Sequence, residues 1–152
     1  MTTKANQAVY HLDTKNRPQL LCAMMREFAG SKAWISFEGR LVHTDLLKIE
    51  SVSFEETAVL RRGTIAPKLD FLVLPLTQNS LQAIEKAILS KISFHSTEGI
   101  VHVQIERDGT VVFAAYDNFS ESCTWVFSNF PVAVLDELVA RKVLASYEAD
   151  KC

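Results

Sequence analysis

The dipeptide Asp108-Gly109 is the feature that most restricts how this chain can fold. It separates two alternating apolar stretches, Ile100–Arg107 and Thr110–Tyr116. Asp-Gly supplies both positive-φ positions of a type I′ turn, which predicts a β-hairpin. A two-residue turn also predicts the register: Ile105 opposite Val112, Val103 opposite Ala114, and Val101 opposite Tyr116. That face, with Val103, Ile105, Val112 and Ala114, is apolar and expected in the core. The reverse face pairs Glu106 with Val111, Gln104 with Phe113 and His102 with Ala115, and is amphipathic.

Around this hairpin the apolar spacing changes from two to three-and-four. Leu21, Met24, Met25 and Phe28 make one helical stripe. Asn16 is suited to cap it, Pro18 to its first turn, and Gly30 to its end. Thr77 or Asn79 opens a second helix with Leu81, Ile84, Ile88, Leu89 and Ile92 on one side. A third is expected over Pro131–Lys142, with Leu135, Leu138 and Val139 inward. Strands are expected at Val9–Leu12, Ala33–Glu38 and Cys123–Phe127, and near Ile49–Phe54 and Thr57–Arg62 with a turn at Glu55-Glu56. Leu69–Leu76 is almost continuously apolar, which predicts a central strand buried on both faces. Hairpins beside separate helices give an α+β order: one mainly antiparallel sheet with about three packed helices. The 152 residues suit a single domain, with frayed tails at 1–8 and 148–152.

Composition excludes several function classes. No apolar run approaches the roughly 20 residues that span a bilayer, and Met1–Gln7 has no apolar leader core, so a cytoplasmic chain without a membrane partner is expected. Cys22, Cys123 and Cys152 are odd in number and widely spaced, which suggests reduced thiols. The net charge of −2 argues against a nucleic-acid partner. The first 76 residues carry ten basic and eight acidic side chains, the last 76 carry six and ten. The second half is therefore mildly acidic.

No phosphate-cradling glycine motif, zinc-binding spacing or nucleophile elbow occurs, and no cofactor or metal is expected. The best catalytic set is His102, Asp117 and Cys123, since a thiolate needs a base and the base an orienting acid. Each is a common residue in a common place, and no motif spacing links them. His102, Asp117 and Glu106 make a still weaker metal set. Arg61-Arg62 with Lys68 reads first as solvated charge and second as an anion patch.

The segment Tyr116–Ser122 stands out because Phe119 lies among polar and acidic residues. Asp and Asn favour turns here, and Phe119 reads either as a loop anchor or as a recognition residue ringed by steering charge. Residues 98–123 hold Glu98, Glu106, Asp108, Asp117 and Glu121 against Arg107. The expected partner surface is Glu106, Asp108, Asp117, Asn118, Phe119 and Glu121, facing a basic protein. In composition and architecture, without a shared motif, the chain resembles small acidic-to-neutral cytoplasmic α+β immunity proteins that neutralise bacterial toxins. That resemblance implies a non-catalytic inhibitor. The alternative is a small enzyme or ligand binder built on His102, Asp117 and Cys123.

Overall fold

The computed structural model describes residues 9–90, 92–94, 99–127 and 129–150. The elements run β1 (Val9–Thr14), α1 (Arg17–Phe28), β2 (Ala33–Gly39), β3 (Asp70–Pro75), α2 (Gln78–Ile88), β4 (Ile100–Arg107), β5 (Thr110–Ala115), β6 (Thr124–Phe127), α3 (Val132–Ala140) and β7 (Leu144–Asp150). Short 3₁₀ turns lie at Asp45–Lys48 and Glu121–Cys123. All seven strands form one antiparallel sheet in the order β3-β2-β4-β5-β6-β1-β7, so the fold is α+β. Among the described residues no helix is long and apolar enough to cross a membrane. The expected frayed residues 1–8, together with Glu98, Lys151 and Cys152, lie outside the described residues.

The helices form where capping and apolar spacing coincide. Asn16 Oδ1 accepts the Gln19 N–H at 3.1 Å and so caps α1, with Pro18 in the first turn. Thr77, not Asn79, caps α2 through a reciprocal box with Ser80. All three helices cover one face of the sheet. Their Met24, Met25, Ile84, Ile88, Leu135 and Leu138 share one core with Ile35, Phe37, Val103, Ile105 and Phe113. α2 ends at Ile88, so Leu89 is exposed and Ile92 is off the helix. α3 stops at Ala140 rather than Lys142. Lys142 turns left-handed (φ 64°), and the Val143 N–H returns to the Leu138 carbonyl at 2.9 Å. That reversal launches β7, which includes residues 148–150 expected to be frayed. Polar side chains hid this strand, whose order comes from pairing with β1 along its whole length.

The hairpin is present, with Asp108 and Gly109 both at positive φ (54° and 87°). Glu106 faces Val111 as expected, but the register then shifts between Ile105 and Glu106. Beyond the shift Ile105 faces Phe113, Gln104 faces Ala114 and Val103 faces Ala115. Val112 is the extra residue of a β-bulge, and a bulge displaces every later pair by one. Val103, Ile105, Val112 and Ala114 are all buried, but Ala114 lies on the face opposite the helices, beside a Gln104 only 5% exposed.

Two further expectations fail for one reason. β3 is an edge strand, not a central one, and neither Ile49–Phe54 nor Thr57–Arg62 forms a strand. The 53–69 segment is instead a strap across the second face of the sheet. It contributes Leu60, which packs on Phe71 and Val73 of β3, so β3 is buried on both faces while standing at the edge. Ser53 seals that edge with two backbone bonds to Val73, at 3.0 and 2.8 Å. The strap's polar side chains take the place of a ladder. Thr57 Oγ1 accepts the Leu60 N–H at 2.8 Å, and Glu56 Oε2 accepts the Arg62 N–H at 2.7 Å.

Where β2 leaves its pairing with β4, Gly39 meets the backbone of Gly99. A Cβ at Gly39 would lie 2.0 Å from the Gly99 carbonyl oxygen, whereas one at Gly109 would meet nothing within 4 Å. Gly39→Ala is therefore expected to destabilise by about 3 kcal/mol. Gly109→Ala meets only the left-handed backbone cost of about 1 kcal/mol. Urea unfolding of the two variants checks the order.

Candidate functional site

Register pairing draws one rank of side chains across the second face: Val73, Ser36, Gln104, Ala114, Trp125, His11 and Glu148, one from each strand. The strap roofs the first half of this face, over β3, β2 and β4. The other half, over β6, β1 and β7, ends in exposed residues.

Under the strap the polar groups satisfy one another. Glu38, only 1% exposed, accepts the Gly63 N–H at 2.7 Å and the Thr64 N–H at 3.2 Å. His102, its cross-strand neighbour, accepts the Asp117 N–H at Nδ1 (3.1 Å). The neutral ring then carries its proton on Nε2, which donates to Thr64 Oγ1 at 2.7 Å. Gln104 donates to the Arg61 carbonyl at 2.7 Å and to Ser36 Oγ at 3.3 Å, and accepts the Tyr116 hydroxyl at 3.4 Å. Burial, and secondarily the Glu38 charge, push the Tyr116 phenol up. These groups bolt the strap to the sheet.

The expected catalytic set is only partly brought together. Asp117 reaches His102 through its backbone N–H, while its carboxylate accepts from Cys123 Sγ at 3.7 Å. Both imidazole nitrogens are engaged by Asp117 and Thr64. The base is therefore not aimed at the thiol, and no acid orients the base. Among the described residues no three His, Cys, Asp or Glu side chains converge on a metal position. The two arginines of the strap are also held internally, while Lys68 is exposed. Arg61 pairs with Glu56 at 3.2 Å, and Arg62 bonds the Leu69 carbonyl with its guanidinium 5.3 Å from the Phe71 ring centre.

The expected partner surface divides. Asp117, Asn118 and Phe119 form three consecutive left-handed residues, φ 54°, 60° and 61°. Asp and Asn tolerate this conformation; for Phe it is unusual and needs outside support. Asn118 gives that support, its backbone N–H donating to the Val101 carbonyl at 2.8 Å and its amide to the Ile100 carbonyl at 2.9 Å. Phe119 is 2% exposed, with its ring against Phe94 and Phe113. It is a core anchor and supplies no exposed aromatic, which corrects that part of the expectation. Asp117 and Glu121 are exposed at this end of the hairpin. Glu106 and Asp108 lie at the other end, five and seven residues on from Val101, or about 17 and 23 Å at ~3.3 Å per residue. The six residues do not make one surface.

A different acidic surface emerges where β1 and β7 pass the Ser120–Ser122 turn. An open groove of about 500 Å³ is lined there by His11, Asp13, Glu148, Ser120, Glu121 and Ser122, among others. Asp13, Glu121 and Glu148 are its carboxylates, and among the described residues no Lys or Arg lines it. Of these only Glu121 was legible in sequence, because the groove depends on pairing residues about 135 positions apart.

Compared with protein-family models, curated proteins and solved structures, the chain matches none.

Phe119→Ala is expected to cost about 3–5 kcal/mol in urea unfolding, the range for deleting a buried phenylalanine ring. A second expectation concerns pH. Burial pushes the half-buried Glu106 carboxyl up. A carboxyl raised on folding holds its proton more tightly in the folded chain, so its contribution to stability falls as pH rises from the unfolded value through the folded one. Glu106→Gln should therefore be the more stable protein at neutral pH. That gain should vanish below the ordinary carboxylate range, as read from melting temperatures across pH.

Proposed function

We propose that this chain is a non-catalytic protein-binding domain, a stoichiometric inhibitor of the immunity or antitoxin kind, whose partner presents a basic surface. The observation that carries the reading is the groove lined by three carboxylates, Asp13, Glu121 and Glu148, and by no Lys or Arg among the described residues. Asp117 adds a fourth exposed charge on the same loop, three residues before Ser120. Clustered charge of one sign repels itself over the ~8–10 Å that salt leaves unscreened. A Lys- and Arg-bearing partner relieves that repulsion, speeds encounter and disfavours phosphate-rich ligands. An inhibitor of this kind needs only a complementary surface that occludes a basic active site or substrate groove. The enzyme reading through His102, Asp117 and Cys123 finds less support, since both nitrogens of the imidazole bond elsewhere.

The test is the triple reversal Asp13→Lys, Glu121→Lys and Glu148→Lys. These side chains are half-buried or exposed, and the melting temperature should stay nearly unchanged. Capture of a basic protein from the native host, and inhibition of that protein's activity at one-to-one stoichiometry, should weaken at least tenfold, or about 1.4 kcal/mol. Undiminished binding by the variant, or turnover lost in Cys123→Ala, would overturn the reading.

A further inference from the structure

We infer that the partner is taken up as an added strand: an extended, Lys/Arg-bearing segment pairing along the outer edge of β7. The inference rests on the reading above that the partner is basic, and specifies how it is held.

The two edges of the sheet differ. The β3 edge is sealed by Ser53 through its paired bonds to Val73. The β7 edge receives no backbone hydrogen bond from any described residue beyond β1. From Ser146 to Asp150 every second residue of β7 therefore turns its N–H and C=O outward, which is the template that strand addition uses. The template is held in place. β7 pairs with β1 from Leu144 to Asp150, and on its helix face the Tyr147 hydroxyl donates to Asp136 of α3 while its ring stands edge-on to Tyr10 at 5.8 Å. An incoming strand thus meets an edge already anchored from behind.

Charge selects the occupant. Glu148 pairs with His11 and Ser146 with Asp13 on one face, and Glu121 borders the same groove. Alternate side chains of an added strand would fall beside Glu148 on that face, where Lys or Arg gains and Asp or Glu loses. A second copy of this chain added antiparallel brings Glu148 toward its own counterpart, a like-charge approach. The common edge protections are charged side chains, above all lysine, together with proline and bulges. Leu144–Asp150 contains neither Lys nor Pro, and its charged residues, Glu148 and Asp150, are acidic and so favour a basic strand. Its one bulge is at Ala145, left unpaired between Ser146–Asp13 and Leu144–Thr14, so the regular template runs from Ser146 to Asp150.

Three peptides test this: an alternating Lys-Val peptide, the same peptide N-methylated at alternate residues, and an alternating Glu-Val peptide. Binding is followed by fluorescence anisotropy, and β7 amide exchange by NMR. The Lys-Val peptide should bind at least tenfold more tightly than the other two and slow exchange at alternating β7 amides. Glu148→Lys should reverse the preference toward Glu-Val. Equal binding of the methylated and unmethylated Lys-Val peptides would overturn strand addition while leaving the basic-partner reading standing. No binding by either would overturn both. Concentration-dependent dimerisation of the free chain through β7, seen by sedimentation, would overturn the basic segment as occupant and assign the edge to a second copy.

Discussion

The strapped half of the second face depends on supplying donors to one buried carboxylate. Glu38 lies in β2 of a seven-stranded sheet, and burying a carboxylate without hydrogen bonds costs several kcal/mol. The Gly63 and Thr64 backbone N–H groups meet that need. To bring them there, the chain between Ser53 and Leu69 must cross the sheet instead of pairing with it. His102 and Gln104 then find partners on the same strap, at Thr64 and Arg61. Leu60 covers Phe71 and Val73 from above. The irregular course of this segment is thus a consequence of polar satisfaction, and the sealed β3 edge is its by-product.

The parts of the fold that were legible in sequence are those set by neighbours within a few positions. Asn16 as a cap, the Met24–Met25–Phe28 stripe and the Asp108-Gly109 turn each declare themselves locally. The misread parts are set by distant partners. Leu69–Leu76 carries the apolar signature of a central strand because it is buried on both faces, but burial by a strap and burial by neighbouring strands leave the same composition. The bulge at Val112 changes no residue type. β7 looks like a tail because four of its side chains, Ala145, Ser146, Glu148 and Ala149, are exposed and its order comes from Val9–Thr14, 130 or more positions away.

The site was legible to a smaller degree, for a related reason. Acidic residues can be counted along a chain, but whether they share a surface depends on strand direction. Glu106 and Asp117 sit eleven residues apart in sequence and at opposite ends of one hairpin, while Asp13 and Glu148 are brought together by β1 and β7. Phe119 shows the complementary ambiguity. An aromatic among polar neighbours is compatible with a hot spot or an anchor, and its contact with Phe94 and Phe113 decides for the anchor. The two readings of His102 separate only through its partners, because a ring that accepts from Asp117 and donates to Thr64 has no nitrogen left for catalysis.

The unequal edges also govern how copies of this chain can accumulate. Open-ended growth of a sheet from molecule to molecule requires each molecule to offer two unlike, pairable edges, so that one is still free after the other is occupied. Here Ser53 occupies the β3 side, so a strand laid on β7 leaves no continuing template behind it. Among the described residues, the self-association of edges left is a closed pair, β7 to β7, which brings two acidic strands together. At the high local concentrations found during synthesis, such a chain is protected from fibre formation by topology as well as by charge, even with one edge exposed.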